Sequence, residues 1–287
     1  MLVIVGVAIA FLGVLIGFIM DGGNIAVLIQ PNEIIILTGA AVGSFLAANG
    51  MDNIKATTEA IKGLLRPDPY KKESYIDLFK LMFQLFVVAR KDGLLGLEKH
   101  IENPEESDII KKYPSFLSNK HATHFLCDTM KVILTGTVSP HDLSEMMELD
   151  LEISHQESRL PVDALQTVGD AMPGFGIVAA VLGVIITMGK IGGGAGEIGH
   201  SVAAALVGTF LGILLAYGFF SPLARAIDLR VKSAEQYLNS IRFALVSFAR
   251  GEAPITCVEF ARRNIEPAVR PTFMEMEGAV REQKSAA

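Results

Sequence analysis

The stretch AMPGFGIVAAVLGVIITM, residues 171–188, decides the fold: it passes without one Asp, Glu, Lys or Arg. A bilayer core about 30 Å thick is crossed by roughly 20 apolar residues in a helix. Three further runs free of charge are Leu2 to Met20, Ile34 to Ala48 and Ser201 to Phe220. The runs at 2–20, 171–188 and 201–220 can span directly, whereas the one at 34–48 is short and must recruit its flanks. All four are continuously apolar rather than alternating, and hydrocarbon accepts only helices or closed barrels. The chain therefore reads as an all-α integral membrane protein with four membrane-spanning helices, and its 51% apolar residues over 287 positions agree.

The boundaries that follow are helices at 1–20, 34–50, 169–189 and 200–222, short extracytoplasmic loops at 21–33 and 190–199, a cytoplasmic helical insert at 51–168 and a helical cytoplasmic tail at 223–287. Nothing basic precedes the run at 2–20 and no small-residue cleavage site follows it, so it reads as a retained anchor and not a secretory signal. Orientation comes from the basic residues near the helix ends. Lys55, Lys62, Arg66, Arg159, Arg225, Arg230 and Lys232 fall on one side and Lys190 alone on the other, which places both termini in the cytoplasm. The two cysteines, Cys127 and Cys257, then lie on the reducing side and are expected to stay free. A net charge of −6, with acids concentrated in the insert, offers no basic surface for nucleic acid.

Within the insert, Leu78, Leu81, Met82, Leu85 and Phe86 form an apolar helical stripe that Asp92-Gly93 breaks. A second helix is expected from Gly96 to just before Pro104, and a third over Leu117 to Leu134. Ser139-Pro140-His141-Asp142 carries a helix start, with Ser at the cap, Pro at the first position and an acid in the first turn. That helix is expected to run to about Arg159. The tail, with Ile227, Val231, Tyr237, Ile241 and Leu245 between basic residues, continues the fourth span as an amphipathic helix. Only Lys284 to Ala287 reads as disordered.

Three spans carry glycines four apart, Gly13 and Gly17, Gly39 and Gly43, Gly208 and Gly212. Such spacing lets helix backbones approach in lipid, within or between subunits, although glycine is also common in membrane helices generally. The spans read as lacking an interior carboxylate or base, the nearest being Asp170 and His200 at helix edges, so an ion passing here needs a binding carboxylate from another subunit. This chain supplies hydroxyls, Thr187 and Thr209, and backbone freed by Pro173. Pro173 and Pro222 sit at cytoplasmic helix ends, where they are either tolerated breaks or hinges that couple membrane and insert. Arg90, Lys91, Asp92, Glu98 and Lys99 surround the Gly93 break and form either a solvated helix end or a docking surface for a charged partner.

Other patterns fail on context. The glycines of residues 174–179 match a dinucleotide fingerprint, but no strand precedes them. Gly189-Lys190 beside Gly192, Gly193 and Gly194 lacks the Ser or Thr of a phosphate loop, because Ile191 stands in its place. His121, His124 and Cys127, spaced by three, have no evident fourth zinc ligand. No nucleophile, base and orienting group occur together, so no enzyme and no cofactor are expected.

Gly22-Gly23-Asn24, Gln30-Pro31-Asn32-Glu33, the run 98–104 (EKHIENP), Arg270-Pro271-Thr272-Phe273 and above all 173–180 (PGFGIVAA) and 207–218 (VGTFLGILLAYG) closely resemble the MotA family, the four-helix stator subunits of flagellar motors. The resemblance covers nearly the whole chain. It implies a bacterial inner-membrane ring of these subunits, expected as a pentamer, around a dimer of MotB, whose single membrane helix brings the ion-binding aspartate. It also implies that Arg90 and Glu98 face the rotor switch protein FliG, and that Pro173 and Pro222 couple ion passage to movement. Sodium-driven members carry threonine seven residues after the third-span proline; Ala180 stands there in this chain, so the resemblance implies protons rather than sodium. Thr209 lines the ion path whichever ion is used and does not discriminate. The competing class is the ExbB or TolQ type of energy-transducing subunit, which serves outer-membrane import or integrity and has three spans and a different placement of soluble parts; the first hairpin here argues against it. A solute carrier would need an inverted repeat and a midplane substrate site, and neither is present.

Overall fold

The computed structural model describes residues 2–189, 192 and 194–285, and every regular element among them is helical. Lys190, Ile191 and Gly193, which entered the orientation and the phosphate-loop reading, lie outside the described residues, as do residues 286–287 of the tail. In chain order the helices are α1 (Leu2–Met20), α2 (Ile25–Leu28), α3 (Pro31–Ala48), α4 (Met51–Gly63), α5 (Lys72–Lys91), α6 (Glu98–Ile101), α7 (Pro114–Ser118), α8 (Lys120–Thr135), α9 (Pro140–Met188), α10 (Ala195–Leu215), α11 (Ser221–Ala249), α12 (Pro254–Arg263) and α13 (Phe273–Ser285). Short 3₁₀ turns cover Leu94–Leu97 and Ile110–Lys112, and a π-helical turn, Ala216–Phe220, joins α10 to α11. Four stretches, Leu2–Met20, Ile25–Ala48, Pro140–Met188 and Gly196–Ala249, contain helix long and apolar enough to cross a membrane.

Several boundaries differ from the sequence reading, each for a local reason. The second span starts at Pro31, not at 34: proline at the first helical position has no N–H to lose, and Glu33 in the first turn favours the helix N-terminus. The helix that opens at Pro140 does not stop near Arg159. It continues to Met188 through Pro161 and Pro173, and from Pro161 onward Val162, Leu165, Val168 and Met172 bury one face. Burying such side chains is worth about 1.5–3 kcal/mol each, enough to offset the roughly 3 kcal/mol that an interior proline costs. Past Pro222 the chain stays helical, α11 running from Ser221 to Ala249. The helix expected from Gly96 is a 3₁₀ turn followed by the single turn α6, and Lys284 and Ser285 belong to α13.

The chain forms two compact units. Residues 1–67 and 158–230 make the first. Its buried centre joins Leu37 and Ala41 of α3, Val168 and Met172 of α9 and Ala216 of the π turn. Much apolar helix surface of this unit is nonetheless exposed. No residue of α1 is buried, and Ile9, Leu12 and Ile16 stand open, a surface suited to hydrocarbon or another chain. Polar contacts close one end: Arg230 donates to the carbonyls of Gly63 and Arg66, fixing the C-terminus of α4. Asp228 accepts from Arg225 at 2.6 Å and pairs with Arg159 at 3.8 Å.

Residues 68–157 and 231–287 make the second unit. The stripe of α5 is its core, with Leu78, Leu81, Met82, Leu85 and Phe86 fully buried. Phe86 stacks on Phe248 at 4.6 Å, and Tyr237 contacts both Tyr70 and Tyr75. The start of α9 is capped as its sequence predicts, with Ser139 Oγ accepting from the N–H of Asp142 at 3.2 Å.

Candidate functional site

Glycine lets α9 and α10 meet backbone to backbone. A Cβ on Gly176 would lie 2.8 Å from the Gly208 carbonyl oxygen, one on Gly183 would lie 2.5 Å from Ala205 Cβ, and one on Gly212 would lie 2.6 Å from the Met172 carbonyl oxygen. No side chain fits at those distances, so the pair is held by close contact, as membrane helices are where no hydrophobic drive separates helix from lipid. Gly208 and Gly212 were legible from spacing; Gly176 and Gly183 were not, being seven apart on a helix that also carries Gly174. The other predicted glycines behave differently. At Gly13, Gly17, Gly39 and Gly43 a Cβ would meet nothing within 4 Å among the described residues, so no comparably close approach is made there.

Around this contact the structure gathers the residues singled out for ion passage and coupling. Thr209 Oγ donates to the Gly176 carbonyl across the helix pair at 3.2 Å. Thr187, fully buried, bonds within its own helix to the Gly183 carbonyl at 2.8 Å. Ala180 is half-buried beside the fully buried Ala179. Pro173 has no N–H for the carbonyl of Gly169, one turn earlier. A Cβ on Gly169 would lie 3.0 Å from Phe220 Cβ and 3.8 Å from the N of Ser221. The turn that leads into Pro173 therefore packs on the turn that leads into Pro222. In that second turn the N–H of Ser221 reaches back to the Ala216 carbonyl, the wider π spacing that absorbs a missing proline donor.

Glu33, which the sequence reading left at the end of the loop before the second span, lies in the first turn of α3. It is 7% exposed, and its Oε2 is buried without a hydrogen-bond partner among the described residues. A Cβ on Gly208 would lie 2.5 Å from that oxygen and 2.8 Å from Ala179 Cβ. Gly208 thus leaves the space that the carboxylate fills. The residue was missed because Gln30-Pro31-Asn32-Glu33 reads as the polar end of a loop; the signal that could have found it is the helix start at Pro31.

In the second unit, Arg90 and Glu98 are both exposed and do not pair with each other. Arg90 has a partner that the sequence did not show: its guanidinium donates to the Gly251 carbonyl at 2.7 Å. Between the two residues a 3₁₀ turn anchored by buried Leu97 presents Leu95, 80% exposed. His121 and His124 are exposed while Cys127 points into the core, so the three do not converge. Burial pushes the Cys127 thiol up to about 11, which makes it a poor ligand and nucleophile.

Two family models match the chain, Motility protein A N-terminal over residues 4–93 and the MotA/TolQ/ExbB proton channel family over residues 117–240. Motility protein A of Escherichia coli (strain K12) is 40% identical over 287 residues, covering 99% of this chain and 97% of that protein. Among solved structures, C. jejuni MotAB matches with a TM-score of 0.75 at 21% identity, over 92% of this chain and 95% of the other. The flagellar MotAB stator complex from Bacillus subtilis matches with a TM-score of 0.72 at 22% identity, over 99% and 98%. These two show the same fold.

Proposed function

The chain belongs to the motility protein A family and to the MotA/TolQ/ExbB proton channel proteins, and on that premise we propose that it is the ring subunit of a flagellar stator, which turns ion flow into torque. The observation that carries the reading is 40% identity sustained over 99% of the chain, membrane unit and soluble unit together. The alternative, an energy transducer of the ExbB or TolQ kind, is disfavoured by the match of residues 4–93 to the N-terminal model of motility protein A, which covers the first hairpin.

In this reading the chain sits in the bacterial inner membrane with both termini in the cytoplasm, as a ring of copies, expected to be five, around a dimer of MotB. The partner brings the central ion-binding carboxylate. The α9 and α10 pair forms the wall that faces it, with Ala180 and the Thr209 oxygen along the path. Moving one elementary charge through 100 mV releases about 2.3 kcal/mol, enough to rock packed helices by a small step and far too little to refold them. Pro173 and Pro222, whose turns touch through Gly169 and Phe220, are where such a step passes from the membrane helices to the remainder of α9 and α11. Torque reaches the rotor protein FliG through the exposed Arg90 and Glu98.

The ion is the proton. Sodium needs several oxygens to replace its hydration shell, and Ala180 offers a methyl group where sodium-driven relatives carry a hydroxyl. Co-expression with a MotB-type partner, followed by imaging in lipid, tests the assembly: copies of the chain should surround the partner's helices. Purification of the chain without the partner, under conditions where both are made, would contradict it. Swimming speed across a sodium titration at fixed pH tests the ion; a speed that follows sodium and resists a protonophore would overturn the proton.

A further inference from the structure

Glu33 lies in the first turn of α3, within the apolar stretch Ile25–Ala48 that α2 and α3 make together. Its side chain is more than nine-tenths buried, and one carboxylate oxygen has no donor among the described residues. When the group is ionised, that unpartnered oxygen forfeits its water with no hydrogen bond in exchange, and the helix N-terminus offsets only part of the cost. Such a group persists in a membrane helix when it holds something, and the smallest thing that satisfies it is a proton.

The bland alternative is a helix N-terminal acid. Glu33 occupies the third position of α3, where a carboxylate often reaches back to the free backbone N–H groups. Here Oε2 reaches none of them, and instead it lies against Gly208 and Ala179 on the neighbouring helices. The titratable groups on those helices are remote from it. Asp170 is nine residues from Ala179 along α9, His200 eight and Glu197 eleven from Gly208 along α10, and Tyr217 nine beyond it, which is about 12 Å or more in each case at 1.5 Å per residue. On its own hairpin, α2 carries no titratable residue.

We propose that Glu33 is a proton-binding carboxyl in the wall of the ion path, seated against Gly208 and Ala179 so that it takes up a proton from water on its side of the membrane and passes it on. The step balances without any co-reactant. An O–H bond of a hydronium ion breaks as the bond to a carboxylate oxygen forms, water leaves, and the same proton later departs to the next base on the path, a carboxylate or a water. Gly208 is part of the device, since any side chain there would displace the carboxyl. The proposal rests on the stator reading for the direction and use of the proton, but the protonatable site itself does not.

The test uses the chain purified with its MotB-type partner in proteoliposomes, with size-exclusion profiles to confirm that each variant assembles. Infrared difference spectra across a pH titration should show a buried carboxylic-acid band that disappears in Glu33→Gln and shifts in Glu33→Asp. Proton uptake driven by a potassium diffusion potential should fall to background in Glu33→Gln, persist in reduced form in Glu33→Asp, and fall in Gly208→Ala. Glu33→Gln with wild-type flux would overturn the relay, and the absence of any Glu33-dependent band would overturn the site. If the wild-type complex carries no proton at all, the stator reading has failed, and the infrared band alone decides whether Glu33 binds one.

Discussion

Thr209 Oγ lies 3.2 Å from the carbonyl oxygen of Gly176 and donates to it across the α9 and α10 contact. The bond uses the hydroxyl proton, so the oxygen lone pairs remain free toward an ion or water. Thr209→Val keeps the shape and loses the bond. It should lower the thermal stability of the detergent-purified complex by about 0.6 kcal/mol, the usual worth of a hydrogen bond between membrane helices. Ion flux should fall by far more than that small loss implies. Equal, proportionate losses would mean that Thr209 acts only as a fastener.

Pro173→Ala restores the donor that the Gly169 carbonyl lacks, so the complex should assemble and be at least as stable as wild type. Torque should nonetheless be lost, because the turn that packs on Phe220 would become ordinary helix. Motility assays beside a thermal melt check this, and a fully motile Pro173→Ala strain would remove the coupling role.

Charge reversal at Arg90 and Glu98, the two positions proposed to face the rotor, should give unequal results. Arg90→Glu also breaks the bond to the Gly251 carbonyl, so a small stability loss, at most about 1 kcal/mol at this exposed site, should accompany weaker motility. Glu98→Lys should weaken motility with no stability change. Compensating reversal on the rotor should restore swimming in both. Chemical denaturation of the purified complex separates the two effects, and a Glu98→Lys variant that fails to assemble would point to a folding role instead.

The C-terminal helix has its own pH dependence. Lys72 on α5 and Thr272 at the start of α13 hold the Glu275 carboxylate, the lysine at 2.7 Å, and lower its titration to about 2. A carboxylate depressed in the folded state stabilises it above the ordinary carboxylate range, and that contribution fades as pH falls from about 4.5 toward 2. Amide exchange of α13 should therefore accelerate over that window in wild type. In Glu275→Gln it should already be fast at neutral pH and insensitive to acid; an unchanged acid response in the variant would assign the effect to other carboxylates.

Sequence alone reveals the membrane helices because an uncharged run of apolar residues has few other destinations, and the family motifs at 173–180 and 207–218 lie in two of those runs. What it hides are features made by juxtaposition. Gly183 faces Ala205 only once the crossing of α9 and α10 is known, and Arg90 meets Gly251 across 161 positions of sequence. Glu33 was hidden differently: four polar or helix-breaking residues in a row look like a loop, yet tertiary packing carries the helix back through them to Pro31. Likewise Pro161 is a stop signal in isolation, and a buried apolar face overrides it.

The measurement that tests the central claim most directly is the rotation of single tethered cells that lack their own copy of this gene, followed while the chain is induced beside its partner. The account predicts that rotation resumes in discrete increments of speed as stators join the motor, and that all of them vanish when a protonophore collapses the driving force. Cells that rotate at full speed before induction, or that gain nothing from it while the chain and its partner assemble normally in the membrane, would contradict it.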